Sequence, residues 1–144
     1  MFAFGETLYE RKHNASGRET REHFDRSPPS VVYAFASNPA NAPAWASGLA
    51  GAIKRVGSEW IAESPMGQVK IRFADQNAFG VLDHDVTLPS GVVIHNPMRV
   101  MANGEGSEVV FSLFHLAGVP DAKFAADAAW VMRDLVALKR ALEQ

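Results

Sequence analysis

His84, in "VLDHDVTL", and Asn96, in "VVIHNPM", are the residues whose types and spacing point most directly to chemistry. The loop Pro89-Ser90-Gly91 lies between them, and in a hairpin the loop length decides which residues face one another. With that loop, Leu88 faces Val92, Val86 faces Ile94, His84 faces Asn96 and Leu82 faces Met98. One face of the hairpin is then apolar except at His84 and Asn96. An imidazole and an amide converging among aliphatic side chains are the kind of polar groups that orient a ligand in a pocket. A neutral His84 could also act as a general base, drawing a proton from a carbon next to a carbonyl. The competing reading, and the more economical one, is a buried His-Asn hydrogen bond that removes the burial penalty with no ligand present.

Other polar groups carry less. "DHD" at 83–85, with His95 opposite Asp85, has the composition of a metal site, but strand alternation sends Asp83 and Asp85 to the face opposite His84. Asp85 and His95 are expected as a surface pair of small energetic value, and no metal site is expected. Arg99 falls outside in the same register, near Val81 and Val110, and His115 falls at the solvated rim. No Gly-rich phosphate loop, HExxH or nucleophile-elbow serine occurs, so those enzyme classes are set aside. No cofactor is implied.

The elements that must position these residues follow from periodicity. "NGEG" at 103–106 continues the apolar face, setting Val100 opposite Val109, Met98 opposite Phe111, Asn96 opposite Leu113 and Ile94 opposite His115. A four-residue loop at "DQNA" would set Phe73 opposite Gly80, Ile71 opposite Leu82, Val69 opposite His84 and Lys70 opposite Asp83. From Ile53 to Leu116 the chain therefore reads as an antiparallel meander. Before it come a polar edge strand, "RETREHFDRS", and a short helix that Ser27 could cap with Pro28 at its first position. Asn38-Pro39 stops that helix and starts another short one carrying Trp45. After the meander, "DAKFAADAAWVMRDLVALKRALEQ" is a long helix with Asp121 as its expected cap. Phe124, Ala128, Val131, Leu135, Leu138 and Leu142 form its apolar stripe. Trp130 points away from that stripe, between Asp127 and Asp134. It is a candidate for self-association, so a homodimer is one expected assembly.

Composition bounds the rest. The chain has 144 residues, 47% hydrophobic and 21% charged, which suits one globular domain with a full core. Fourteen Lys plus Arg against sixteen Asp plus Glu give a net charge of -2, leaving no electrostatic footprint for nucleic acid or an acidic membrane. Cysteine is absent, which excludes disulfides and thiol nucleophiles and fits a reducing compartment. With no signal-like start and no integral membrane segment, a cytoplasmic location is expected. Residues 1–17 show no clean period and are expected as an extension to a domain covering 18–144.

The ordered series of a weak first strand, "PPSVVYAFASNPANAPAW", a meander and a terminal helix ending "DLVALKRALE" resembles the START-related superfamily. Within it the chain looks most like bacterial polyketide cyclase/dehydrase-type (SRPBCC) domains. The resemblance implies an α+β helix-grip fold, with a curved antiparallel sheet wrapped around a long terminal helix. It also implies an apolar or amphipathic guest, lipid-like or polyketide-like, between the two. Trp45 resembles the tryptophan that closes over the pocket in this family; a plain hydrophobic plug is the alternative. The expected walls are Trp45, Phe73, Leu82, Met98, Phe111, Leu113, Val131 and Leu135, with His84 and Asn96 orienting the guest. Trp60 is expected in the core or an interface. A cyclase or dehydratase-like enzyme using His84, or an interaction module using the outer helix face, are the rival functions, since one fold hosts many.

Overall fold

The computed structural model describes residues 16–49 and 51–143. Strand β1 (Ser16–Phe24) is followed by helix α1 (Pro29–Ala36) and a 3-10 helix (Pro39–Ala44). Seven strands then run from β2 (Lys54–Val56), β3 (Glu59–Ser64) and β4 (Gly67–Phe73) through β5 (His84–Thr87) and β6 (Val93–Asn96) to β7 (Met98–Asn103) and β8 (Gly106–His115). Helix α2 (Asp121–Leu142) closes the order. Of the expected N-terminal extension, residues 1–15 lie outside the described residues, whereas Ser16 and Gly17 belong to β1 and pair with His115 and Phe114.

The strands form a three-stranded sheet, β1-β8-β7, and a five-stranded sheet, β2-β3-β4-β5-β6. β6 and β7 are halves of one strand broken at Pro97, which has no N–H to give to a ladder. Across the break the chain changes partner from β5 to β8. The expected pairs Asn96–Leu113 and Ile94–His115 are therefore not formed; instead the Ser112 N–H donates to the Pro97 carbonyl at 3.0 Å. On either side the registers are as expected, with His84 opposite Asn96, Val86 opposite Ile94, Met98 opposite Phe111 and Val100 opposite Val109.

The β4–β5 register differs from the expectation. Phe73 faces His84 rather than Gly80, and Ile71 faces Val86 rather than Leu82, a slip of four residues. The cause is a longer, ordered loop over 74–83. Asn77 Oδ1 accepts from the N–H groups of Phe79 and Val81, its amide donates to the carbonyls of Asp75 and Val81, and its own N–H donates to the Tyr33 hydroxyl. Residues 80–82 then pair with β7 through Val100 N–H to Gly80 O and Leu82 N–H to Met98 O, so β5 begins only at His84. Because four is even, every side chain keeps its face. Gly80 permits this approach: its φ is 71°, and a Cβ there would lie 2.2 Å from the Val100 carbonyl oxygen.

Neither expected side-chain cap is used. α1 follows Pro28 and α2 follows Pro120, extended residues with no side-chain acceptor; Asp121 is already the first helical residue. Ser27 is drawn elsewhere, its hydroxyl donating to Glu143 Oε1 at 3.1 Å and its carbonyl accepting from Ser107 Oγ at 2.6 Å. Glu143 Oε1 also accepts the Arg26 N–H at 2.7 Å, clasping the end of α2 to the corner after β1. The 3-10 helix does have a cap, with Asn38 Oδ1 accepting from Ala40 N at 3.1 Å.

The core lies between the sheets' inner faces and α2. Ala128, Val131, Leu135 and Leu138 of the expected stripe are buried, and Phe124 and Leu142 pack partly against it. Each fully buried aliphatic side chain contributes about 1.5–3 kcal/mol relative to exposure, which holds α2 in the curve of the sheet.

Candidate functional site: the inner face around His84

The register brings one row of the inner face together as Phe73, His84 and Asn96 on three neighbouring strands of the larger sheet. A second row, Met98 opposite Phe111 opposite Thr20, continues it onto the smaller sheet. His84 and Asn96 are 1% and 2% exposed. The His84 ring lies 4.9 Å from that of Phe73 and 6.1 Å from that of Phe111, centroid to centroid. Its Nδ1 is 3.0 Å from the Leu82 carbonyl oxygen. A carbonyl only accepts, so Nδ1 carries the hydrogen, and in the neutral ring the lone pair sits on Nε2. Asn96 Nδ2 is buried and has no hydrogen-bond partner among the described residues; the expected His-Asn hydrogen bond is not made through that donor.

Leu82, Met98, Phe111, Leu113, Val131 and Leu135 are all buried in the same core, and Phe73 packs against it half-buried. Trp45 ends the 3-10 helix and is 1% exposed, the largest of the fully buried side chains. Two residues on, the Ser47 N–H and hydroxyl both donate to Asp134 Oδ1, at 3.1 Å and 2.5 Å. Asp134, 1% exposed, sits among the buried residues of α2. It thus ties the Trp45 segment onto the helix, a role that its sequence position beside Trp130 gave no sign of.

Two cavities border this region. The ladder between β3 and β4 ends at Trp60–Ile71 while β4 runs on to Phe73. Beside this opening lies a space of about 620 Å³, whose apolar lining is Pro39, Trp60, Ile71 and Phe73 and whose charged lining is Glu59, Lys70, Arg72 and Asp75. A smaller cavity of about 220 Å³ is lined by Phe73 and His84 together with Arg72, Asp83, Asp85 and His95. Phe73 borders both. Trp60, expected in the core or an interface, is half-buried with the Arg55 guanidinium 5.9 Å from its ring centroid.

The chain was compared with known proteins. No protein-family model matches it, and no curated sequence does. Solved structures do match. DynU16, a protein in the dynemicin biosynthetic locus, superposes with a TM-score of 0.66 at 15% identity over 89% of this chain, which spans only 47% of DynU16. Ara h 8.0201 gives 0.67 at 15% identity, covering 90% of this chain and 98% of its own. The Aha1 dimer from Colwellia psychrerythraea gives 0.64 at 16%, covering 89% and 96%. The chain has the α+β helix-grip fold of these structures.

Of the other polar residues singled out in the sequence, Asp85, His95 and Arg99 fall outside the inner face. His95 Nδ1 lies 2.6 Å from Asp85 Oδ1, both residues a little over two-fifths exposed. Arg99 is exposed, 2.8 Å from Asp83, whose other oxygen accepts the Met98 N–H. His115 is only half-buried rather than solvated at the rim. Its ring stacks on Phe124 at 4.4 Å and its Nε2 donates to the Val119 carbonyl at 2.7 Å, bracing the turn into α2. Trp130 is half-buried, with the Arg133 guanidinium 5.6 Å from its ring centroid. Among the described residues no three His, Asp or Glu side chains converge as a metal site would require, and no helix is long and apolar enough to cross a membrane.

Proposed function

We propose that the chain binds an apolar or amphipathic small molecule between the inner face of its sheets and α2, with His84 and Asn96 orienting it and Trp45 over it. The observation that carries this reading is the polar pair His84 and Asn96, buried on a largely apolar inner face. Polar groups in such a setting are matched by partners. The opening beside Trp60 and Ile71 supplies a route from solvent to Phe73. Lipid-like and polyketide-like guests both meet this description, and a cytoplasmic location goes with the cysteine-free composition. Native mass spectrometry of protein expressed in cells, followed by extraction, tests the reading. A copurifying apolar molecule is the expected result; bare protein that also fails to bind a polarity-sensitive dye would overturn it.

A second reading, a polyketide cyclase or dehydratase-like enzyme, is favoured by one feature. The Leu82 carbonyl orients the His84 ring so that Nε2 can accept a proton when the ring is neutral. A similarity to DynU16, from a biosynthetic locus, is in keeping with it. On this reading His84→Ala abolishes turnover of a reactive polyketone while leaving the fold intact, and retained turnover removes His84 from the mechanism.

A further inference from the structure

Three polar atoms of the interior have no hydrogen-bond partner among the described residues: Asn96 Nδ2, Trp45 Nε1 and Thr20 Oγ1. Their residues are 2%, 1% and 6% exposed, so water at the molecular surface does not serve them. Thr20 and Asn96 belong to the same inner face. Thr20 lies opposite Phe111, which lies opposite Met98, and Asn96 precedes Met98 by two positions on the same side of the strand. Trp45 packs into the same core from the 3-10 helix. The indole N–H and the amide NH₂ can only donate, and the hydroxyl donates as readily as it accepts. A buried donor left unpaired carries its full desolvation cost, and an acceptor that reaches it recovers that cost.

Building on the proposed binding function, we infer that the guest is selected for hydrogen-bond acceptors. It has a compact apolar body bearing keto, quinone, ester or ether oxygen that meets Trp45 Nε1 and Asn96 Nδ2. Trp45 and Asn96 are thus specificity-determining residues, and the interior discriminates against bare hydrocarbon of the same shape. An anionic headgroup is not what this end of the site is built to hold, because no lysine or arginine is buried among the described residues.

Fluorenone and fluorene test the inference, since they share size and shape and differ by one carbonyl. Binding is measured by calorimetry and by the chemical shift of the Trp45 indole N–H. Fluorenone is expected to bind about tenfold tighter than fluorene, the factor that corresponds to about 1.4 kcal/mol, and to move the Trp45 indole proton downfield. Asn96→Leu and Trp45→Phe should each pull that ratio toward one. Asn96→Leu also removes a buried unpaired donor and should unfold at a temperature no lower than the parent. If Asn96→Leu fails to fold, Trp45→Phe and the indole shift of the unsubstituted protein decide. Equal binding of the two compounds overturns the inference and leaves the apolar-guest reading standing. Binding of neither overturns both.

Discussion

Ser47→Ala isolates the tie between the Trp45 segment and α2. The substitution removes the hydroxyl that donates to Asp134 Oδ1 at 2.5 Å and leaves the backbone N–H donor, at 3.1 Å, in place. A hydrogen bond to a carboxylate contributes about 1.5–3 kcal/mol. Ser47 is exposed as a residue, so water can take over part of the task, and the loss should fall near the lower end, about 1.5 kcal/mol. For a domain of this size that is a fall in Tm of roughly 3–6 °C. The assay is thermal unfolding by circular dichroism, supported by a denaturant titration to obtain the free energy. Ser47→Thr keeps the hydroxyl and should stay within about 0.5 kcal/mol of the parent, the usual range for a surface substitution. A loss below about 0.5 kcal/mol for the alanine variant would show that Asp134 does not hold this segment, and the account of Trp45 as a fixed cover would fall with it.

Gly80→Ala should be strongly destabilising. It places a Cβ 2.2 Å from a backbone oxygen at a φ of 71°, and the left-handed conformation alone costs about 1–2 kcal/mol; an unchanged denaturation midpoint would contradict the close packing of the 74–83 loop on β7. Burial raises the Asp127 carboxyl above its ordinary value, against the opposing pull of Lys123. The folded state therefore binds that proton more tightly than the unfolded state, and stability falls as pH rises from the unfolded pKa through the raised folded one. Asp127→Asn should flatten this fall in a series of melting temperatures across the acid range, and parallel curves for the two proteins would refute it. Tyr33→Phe removes the hydroxyl that accepts the Asn77 N–H at 2.9 Å. It should cost about 1 kcal/mol and speed amide exchange within 74–83, and unchanged exchange would deny that Tyr33 orders the loop.

What could be read from the sequence was whatever local rules decide. The hairpins at 89–91 and 103–106 have short turn-forming loops, so His84 opposite Asn96 and Met98 opposite Phe111 followed from counting. The stripe of α2 followed from its period. The β4–β5 register did not, because the hydroxyl that orders its loop belongs to Tyr33, 44 residues away. Ser27 and Asp121 have cap-forming side chains, but α1 begins one residue later than a Ser27 cap would need and α2 one residue earlier than an Asp121 cap would need, so a proline takes each cap position. The candidate walls of the site were legible as apolar positions on one face. Asp134 was not: it reads as a polar position flanking Trp130, and its partner Ser47 lies 87 residues away across the fold. The unpaired donors of Thr20 and Trp45 were equally hidden, since a lack of partners appears only once every neighbour is in place.

The clasp of Glu143 on Arg26 and Ser27 joins groups 117 and 116 residues apart, and among the described residues β1 pairs only with β8. As the chain leaves the ribosome, β1 must therefore wait for β8 to be made before finding that neighbour. Loop closure over such separations makes folding slow. The nascent protein spends that interval with the apolar side of Phe24 and the unmatched edge of β1 open to chaperones or to other chains.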